Sequence, residues 1–284
     1  MSPRRLDVAL AVVGLARSRT HAQRIIDEGR ARIDGHPARR ASTPVPEDAR
    51  LTVVDVPDGV EYASRAAHKL NGALQELGLT VQDRHCLDAG ASTGGFTDVL
   101  LRRGAEKVIA VDIGHNQLAE HLAVDPRVTV LDGTSVRDLE PALIGGSADL
   151  LVADLSFISL RTVMAALASV VRPGGDLLLM VKPQFEVGRE ALPRTGVVTD
   201  PSEHRRAVTG VARSAAETGL EVAGAGASPL AGQDGNREFF LHLRPTGHAV
   251  TLTERACDMI ESVVTGRPAP GPHRHITEGE DGAG

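Results

Sequence analysis

The stretch from His85 to Asp112 constrains the fold more than any other part of the chain. It contains a short apolar strand that ends near Asp88, a glycine-rich turn, a helical segment, and a second apolar strand that ends at Asp112. The glycines of the turn Gly90-Ala91-Ser92-Thr93-Gly94-Gly95 leave room for backbone N–H groups to approach a ligand. In a doubly wound sheet, an acid at the end of the second strand accepts hydrogen bonds from the ribose hydroxyls of an adenosine. The stretch therefore predicts a nucleoside-binding turn.

Two classes of cofactor contain such a nucleoside. A nicotinamide dinucleotide usually requires a G-x-G-x-x-G turn that neutralises its pyrophosphate, and the G-x-G start is absent here. Asp88, two residues before the first glycine, would repel a pyrophosphate but could bind the ammonium group of S-adenosylmethionine. The sequence therefore favours S-adenosylmethionine. A glycine-rich loop without a ligand is the alternative.

Strand and helix patterns alternate through the rest of the chain. Beyond the two strands above, strand segments are predicted at 128–131, 150–153, Asp176–Val181, Glu221–Ala227 and Glu238–Leu243. Helices are predicted at Arg161–Val171, Pro201–Glu217 and Leu252–Val264, with a turn at Pro173-Gly174-Gly175. This alternation predicts an α/β doubly wound, seven-stranded sheet whose ligands lie beyond the carboxyl ends of the strands.

Four charged residues fall where this topology places chemistry. Asp154 and Lys182 follow two strands that we expect to be neighbours in the sheet, and Glu238 lies at the start of a late strand. Lys69 lies on a helix just before the sheet. One charge at a strand end is commonly structural, but four on elements that converge on one edge indicate a reactive site.

The charge of the chain is distributed unevenly. The net charge of −6 argues against a nucleic-acid partner only as an average. Residues 1–40 contain nine arginines and four acidic residues, a balance of +5, so the remaining 244 residues must sum to −11. This asymmetry suggests a basic recognition module joined to an acidic enzyme body.

The basic module spans residues 4–57. A short helix closes at Gly14, and Ser18 or Thr20 is a plausible N-cap for a second helix, Arg19–Glu28. The pieces Arg-Leu-Asp, Gly-Leu-Ala-Arg-Ser-Arg, Ile-Ile-Asp-Glu-Gly-Arg and Ile-Asp-Gly follow in order, and together they resemble the RNA-binding domain first seen in ribosomal protein S4. We assign RNA binding to the arginines of this module and of the segment after the linker: Arg4, Arg17, Arg19, Arg24 and Arg65. A small helical cap with a solvated arginine face is the alternative.

Five longer motifs carry a second resemblance. They are Ser64-Arg65-Ala66-Ala67-His68-Lys69-Leu70, the segment 88–98, Asp154-Leu155-Ser156-Phe157-Ile158-Ser159-Leu160, Val181-Lys182-Pro183-Gln184-Phe185-Glu186 and Gly235-Asn236-Arg237-Glu238-Phe239. Together they resemble the hemolysin A (TlyA) group of ribosomal RNA 2′-O-methyltransferases, whose catalytic domain is like the FtsJ/RrmJ methyltransferases. The resemblance implies a Rossmann-like class I methyltransferase fold with a small α+β S4-type domain. In one respect the chain departs from the group: where its linker often carries a Trp, this chain has Glu61-Tyr62-Ala63.

The resemblance also implies roles for individual residues. It assigns a catalytic set, Lys69, Asp154, Lys182 and Glu238, and positions that line the methyl donor together with Asp88, namely Gly90, Ser92, Gly94, Phe96, Asp112 and Asp132. The reaction must align oxygen, methyl carbon and sulfur and help the ribose hydroxyl lose its proton. Lys182 is the candidate base; alternatively it only positions the hydroxyl while water takes the proton.

The expected function is S-adenosylmethionine-dependent methylation of a ribose 2′-hydroxyl, on cytidine, in 16S or 23S ribosomal RNA or both, within ribosomal subunits. The alternatives are a nicotinamide-dependent oxidoreductase and a membrane-damaging protein, although no apolar span appears. We expect an S4-type domain at 1–57, a linker at 58–64, a catalytic domain at 65–265 and a disordered tail at 266–284. The two distant cysteines and the lack of a signal peptide predict a cytoplasmic location.

Overall fold

The computed structural model describes residues 4–55, 59–232 and 234–267. Residue 58 of the predicted linker and nearly all of the tail predicted to be disordered lie outside the described residues. Within the described part of the chain, no helix has both the length and the apolar character needed to cross a bilayer.

The N-terminal elements form a small α+β unit with its own core. In chain order they are β1 (Arg4–Arg5), α1 (Leu6–Val12), α2 (Arg19–Asp27), β2 (Ala31–Ile33), β3 (His36–Pro37), β4 (Pro44–Val45) and β5 (Leu51–Val53). β2 lies between β3 and β5, and β1 pairs with β4. Ser18 is the N-cap of α2, because its hydroxyl accepts a hydrogen bond from the His21 backbone N–H at 3.1 Å. The two helices bury Leu10 and Ile25 between themselves and the strands.

The larger part of the chain alternates strands and helices. Its elements are α3 (Ala66–Glu76), β6 (His85–Ala89), α4 (Gly95–Arg102), β7 (Lys107–Val111), α5 (Glu120–Ala123), β8 (Val128–Leu131), β9 (Ala148–Ala153), α6 (Leu160–Ser169), β10 (Val171–Val181), α7 (Pro183–Glu186), α8 (Pro201–Glu217), β11 (Leu220–Ala227), β12 (Phe239–Pro245) and α9 (Glu254–Thr265). The predicted α/β alternation is confirmed.

These strands form one seven-stranded sheet in the order β11-β12-β10-β9-β6-β7-β8. The five strands from β8 to β10 are parallel, and β12 runs antiparallel to both β10 and β11. The chain builds β6, β7 and β8 outward in one direction and then returns to place β9 on the other side of β6. The order of strands therefore reverses between β6 and β9, and a ligand crevice is expected beyond the carboxyl ends of these two strands.

Helices cover both faces of the sheet because its central strands are apolar on both sides. Leu150 and Val152 of β9 pack with α3 and α4, whereas Leu151 and Ala153 pack with α6 and α8. This alternation is the two-residue period of a strand. The loops at the carboxyl edge of the sheet are therefore anchored on buried strands.

The largest departure from the predicted elements lies around β10. Pro173-Gly174-Gly175, predicted as a turn, lies within β10, where the pairing with β9 shifts register between Val171 and Asp176. A Cβ at Gly175 would lie 3.0 Å from the Asp149 carbonyl oxygen, so this glycine permits a close backbone approach. The predicted helix Arg161–Val171 ends earlier, at Ser169, because the following residues join this strand. The strand predicted from Glu238 begins one residue later, at Phe239.

Candidate active site

The glycine-rich turn follows β6 at the point where the strand order reverses. Gly90 has a φ of +86°, and a Cβ there would lie 3.0 Å from the Asp154 carbonyl oxygen. Gly94, with a φ of +93°, is the N-cap of α4. The Ser92 backbone N–H donates to Asp112 Oδ2 at 2.8 Å, which ties the turn to the end of β7. The turn is therefore held in one conformation and brought against the end of β9, as only glycine at position 90 allows.

A cavity of about 160 Å³ opens beside this turn. The predicted donor-lining residues Gly90, Ser92 and Phe96 line it, and so do the predicted catalytic residues Asp154 and Lys182. Gly94 does not line the cavity, although its neighbour Gly95 does. The structure thus brings the glycine turn and part of the predicted catalytic set to one place.

Asp112 and Asp132 end β7 and β8 and lie outside this cavity. Asp112 Oδ1 accepts a hydrogen bond from the Gly114 backbone N–H at 2.7 Å, in addition to the bond from Ser92. Asp132 Oδ2 accepts one from the Asn116 backbone N–H at 2.8 Å. A carboxylate offers about four lone-pair sites, so Asp112 retains acceptor capacity for a ligand hydroxyl.

Asp88 lies within β6, beneath the glycine turn, and is completely buried. Its Oδ2 accepts a hydrogen bond from the Thr97 hydroxyl at 2.7 Å, whereas its Oδ1 is buried and has no hydrogen-bond partner among the described residues. Burial, the largest cause, raises the pKa of Asp88 to about 7, and the charge of Asp154 adds to this. A buried carboxyl group with one unpartnered oxygen is suited to a cationic partner, although Asp88 itself does not line the cavity.

Asp88→Asn should stabilise the protein relative to wild type, and this gain should grow with pH because Asp88 is buried. The native carboxyl holds its proton up to about pH 7, whereas an unfolded aspartate loses it near pH 3.9. The free energy of unfolding of the wild-type protein therefore falls as the pH rises between these two values. We expect the free energy of unfolding of Asp88→Asn relative to wild type to increase by about 2.7 kcal/mol between pH 5 and pH 8, because the roughly two pH units below the raised pKa each contribute about 1.36 kcal/mol.

Urea denaturation at the two pH values measures this difference. Asp258 is exposed on α9, so Asp258→Asn is the matched control and should show no such pH dependence. Equal stability changes for Asp88→Asn at pH 5 and pH 8 would contradict the raised pKa.

Lys182 and Asp154 form an ion pair at the mouth of the cavity. Each residue directly follows its strand, and β9 and β10 are parallel neighbours. Lys182 Nζ lies 2.7 Å from Asp154 Oδ1, and both side chains are mostly buried, with exposures of 11% and 16%. Lys182 Nζ also donates to the Ser156 hydroxyl at 2.8 Å. The two acceptors fix the direction of the lysine side chain beside the glycine turn.

Lys69 and Glu238 form a second ion pair. Lys69 Nζ donates to Glu238 Oε2 at 2.6 Å, and both residues are buried. Glu238 lies at the same end of the sheet as Lys182, because Phe239 pairs with Val181 and each charged residue is next to one of these partners in the chain. Lys69 lines a cavity of about 560 Å³ that shares Ser64, Ala66 and Thr93 with the smaller cavity. The two lysine–carboxylate pairs, Lys182–Asp154 and Lys69–Glu238, therefore flank one region at the carboxyl edge of the sheet.

The five predicted RNA-binding arginines have different environments. Arg17 is paired with Glu61, Arg19 lies 2.9 Å from Asp7, and Arg24 donates to the Tyr62 carbonyl. Arg4 is exposed on β1. Arg65 lines the 560 Å³ cavity beside Lys69. Three of the five are thus engaged within the protein, and binding of phosphate by them would compete with these contacts.

The linker packs against α4. Tyr62 is buried, the Arg102 guanidinium lies 5.0 Å from the centre of its ring, and the Ala63 backbone N–H donates to Asp98 Oδ2 at 2.8 Å. Tyr62 stands in the segment where the TlyA group often has a Trp, and it fills a buried position there.

Sequence reasoning did not single out three residues of this site. Ser156 accepts the hydrogen bond of Lys182, and Phe157, the next residue, is 91% exposed with a φ of +64°. Glu186 is buried and accepts hydrogen bonds from Ser159 and Leu160. All three lie in the two motifs that follow β9 and β10. The density of polar and aromatic residues in those motifs was the available signal.

Comparisons with known proteins agree with this geometry. The S4 domain family matches residues 4–51, and the FtsJ-like methyltransferase family matches residues 62–245. The 16S/23S rRNA (cytidine-2′-O)-methyltransferase TlyA of Mycobacterium tuberculosis is 49% identical over 97% of this chain and 98% of that protein. Hemolysin A of Brachyspira hyodysenteriae is 32% identical over 84% of this chain and 98% of that protein.

A solved structure has the same architecture. A presumed hemolysin from Streptococcus thermophilus superposes with a TM-score of 0.74 at 35% identity, over 94% of this chain and 96% of that one. This chain therefore belongs to the TlyA family of FtsJ-like methyltransferases and carries an S4 domain at its N-terminus.

Proposed function

We propose that this protein transfers a methyl group from S-adenosylmethionine to the 2′-hydroxyl of a cytidine ribose in 16S or 23S ribosomal RNA, or both, within a ribosomal subunit. The observation that carries the proposal is the placement of the two lysine–carboxylate pairs beside the glycine turn. The names of the M. tuberculosis relative and of the TlyA of Campylobacter jejuni, a 23S rRNA (cytidine-2′-O)-methyltransferase that is 32% identical over 69% of this chain, support the choice of nucleotide and RNA.

The residues around the turn fit S-adenosylmethionine. The Asp88 carboxyl group, with its unpartnered Oδ1, lies beneath the turn and would attract the ammonium group of the donor once ionised, and Gly90 lets the turn lie against the Asp154 backbone. Gly90, Ser92, Gly94 and Phe96 would hold the donor along the turn, with Asp112 and Asp132 as acceptors for its hydroxyls. When bound, the donor supplies an electrophilic methyl group.

The two lysine–carboxylate pairs then act on the substrate ribose. Lys182, held by Asp154, lies where its Nζ can contact the 2′-hydroxyl. As a neutral amine it would accept the hydroxyl proton, and as an ammonium group it would position the hydroxyl while water takes the proton. Lys69, held by Glu238, lines the adjoining cavity and can position the ribose from the other side. The pairing fixes each ammonium group in advance, so that little reorganisation is needed once the substrate has bound.

The S4 domain supplies the sequence-independent part of RNA binding. Arg4, Arg17 and Arg19 are exposed on this domain, and Arg24 and Arg65 line the larger cavity together with Lys69. Phosphate contacts of this kind position a nucleic acid without reading its sequence. We propose that Arg4, Arg17, Arg19, Arg24 and Arg65 hold the ribosomal RNA and thereby present one ribose to the site.

Transfer of tritium from labelled S-adenosylmethionine to separately purified small and large ribosomal subunits tests this function. The subunits should come from cells that lack the gene, so that the target ribose carries no methyl group. We expect label in the RNA of at least one subunit and none with heat-inactivated protein. Labelling of protein only, or no labelling of either subunit, would contradict the proposal.

A further inference from the structure

Glu186 is a buried acidic residue to which the mechanism above gives no task. It ends α7, the short helix that begins directly after Lys182, and it is only 5% exposed. Its Oε2 accepts a hydrogen bond from the Ser159 hydroxyl at 2.6 Å, and its Oε1 accepts one from the Leu160 backbone N–H at 2.7 Å. Arg161 Nε lies 3.5 Å from Oε2. One carboxylate thus spans from the segment after β10 to the segment after β9.

These two segments carry the Lys182–Asp154 pair. We call residues 154–159 the β9 loop and residues 182–186 the β10 segment. They meet at three places: Lys182 contacts Asp154 and Ser156 at one end, the rings of Phe157 and Phe185 lie 5.3 Å apart in the middle, and Glu186 closes the other end. Lys182 and Asp154 therefore belong to two segments, the β10 segment and the β9 loop, that contact each other at both ends.

These contacts stabilise the β9 loop, part of whose backbone is strained. Phe157 has a φ of +64°, a conformation that is unfavourable for a bulky side chain, and the side chain is 91% exposed, so packing of its own does little to stabilise it. Strained residues persist only where their surroundings hold them in place. The two hydrogen bonds that Glu186 accepts come from Ser159 and Leu160, two and three residues beyond Phe157, and they hold the loop on that side.

We propose that Glu186 is a positioning residue, whose carboxylate holds the β9 loop so that Asp154 and Ser156 stay on the ammonium group of Lys182. The proposal rests on the function proposed above. It goes beyond that function because Glu186 touches neither cavity and acts only through the loop.

A purely structural role is the competing account. Glu186 and Ser159 lie at the N-terminus of α6, where Ser159 also accepts a hydrogen bond from the Arg161 backbone N–H, and a carboxylate near a helix N-terminus stabilises the helix. Such a role would change the stability of the protein and leave the turnover of folded molecules unchanged. The split between kcat and KM separates the two accounts.

Glu186→Ala is the first variant of the test. We expect kcat to fall by about 10- to 100-fold, since small displacements of a catalytic group can cost this much. KM for RNA and Kd for S-adenosylmethionine should stay within about threefold of wild type, since Glu186 does not line either cavity. Glu190 is exposed in the following loop, so Glu190→Ala is the matched control and should keep the wild-type kcat.

Glu186→Gln tests the hydrogen bonds themselves. Its amide oxygen can accept from the Leu160 N–H, and its amide N–H can donate to the Ser159 hydroxyl oxygen. We expect kcat within about fivefold of wild type, and we expect Ser159→Ala to cause no further loss when added to Glu186→Ala. A Glu186→Gln variant that folds yet is as slow as Glu186→Ala would overturn the proposal, and so would a Glu186→Ala variant with wild-type kcat per folded molecule.

A second readout needs no RNA substrate. Lys182 is held by Asp154 and Ser156, so loosening the β9 loop should increase its acetylation by acetic anhydride severalfold relative to Lys107, as measured by mass spectrometry. Unchanged acetylation in Glu186→Ala would overturn the positioning role. Failure of the wild-type protein to methylate RNA would instead count against the proposed function, and the acetylation result would still decide the role of Glu186.

Discussion

Lys182→Ala is expected to lower the rate of methyl transfer by about 10²- to 10⁴-fold, the range that a positioned acid–base group contributes. The substitution removes the group that we propose contacts the 2′-hydroxyl, and it leaves Asp154 without its cation. The affinity for S-adenosylmethionine should stay within a few-fold of wild type, because the residues that would hold the donor lie along the glycine turn and are unchanged.

Tritium transfer measures the rate, and calorimetric titration measures donor binding. Lys107, at the first residue of β7, lies at the opposite edge of the sheet, so Lys107→Ala is the matched control and should retain full activity. Equal losses of donor binding and of transfer in Lys182→Ala would assign Lys182 to the donor site instead of to catalysis.

Asp176→Asn is expected to lower the free energy of unfolding by about 3 kcal/mol, without changing the activity of the folded molecules. The Asp176 carboxylate is buried and accepts hydrogen bonds from Arg84 at 2.7 Å, His242 at 2.7 Å and Arg244 at 3.0 Å. It lies six residues before Lys182 on β10, roughly 20 Å from the active site at about 3.3 Å per residue. The variant therefore removes contacts at the end of the sheet opposite the active site and leaves the active site unchanged.

The loss should depend on pH in a defined direction. Burial by itself raises the pKa of Asp176, but the bonds from His242, Arg84 and Arg244 outweigh it and hold the pKa well below its usual range. The stabilisation is thus complete above the unfolded pKa near 3.9 and is lost progressively as the pH falls from there through the lowered pKa of the folded protein. Denaturation at pH 7 and at pH 3 measures the difference between wild type and variant, which should shrink at pH 3. A difference that is equal at both pH values would contradict this origin.

The strands of the catalytic domain and the edge at which they end could be predicted from the sequence. Apolar segments such as 128–131 and 150–153 have the length and composition of buried strands, and the acid or lysine that follows each marks its carboxyl end. In a parallel sheet these ends meet at one edge, so the pairing of Lys182 with Asp154 follows from strand order alone. Lys69 reaches Glu238 because α3 packs next to the same edge.

Local signals failed where tertiary contacts override them. Pro173-Gly174-Gly175 has the composition of a turn, yet neighbouring β9 keeps these residues in β10 with a shift of register. A proline and two glycines are tolerated there because a bulge leaves some backbone groups without a ladder partner. No sequence pattern in this segment distinguishes the two outcomes.

Side-chain partners were the other part that could not be predicted. Arg17 and Arg19 belong to a basic cluster in the sequence, but their carboxylate partners, Glu61 and Asp7, are defined only by the packing of the linker and of α1. Glu186 is similar, since its contacts with Ser159 and Leu160 join segments that are 26 and 27 residues apart. Such contacts depend on the final packing and have no local sequence signature.

Digestion of the methylated RNA to nucleosides, followed by mass spectrometry, is the most direct test of the central claim. The claim is that the site formed by the two lysine–carboxylate pairs directs the methyl group of the donor to a ribose oxygen. With the wild-type protein we expect the label in 2′-O-methylcytidine, and with Lys182→Ala we expect almost none. A labelled methyl group on the cytosine ring, or on any other base, would contradict the assignment of these pairs to a ribose 2′-hydroxyl.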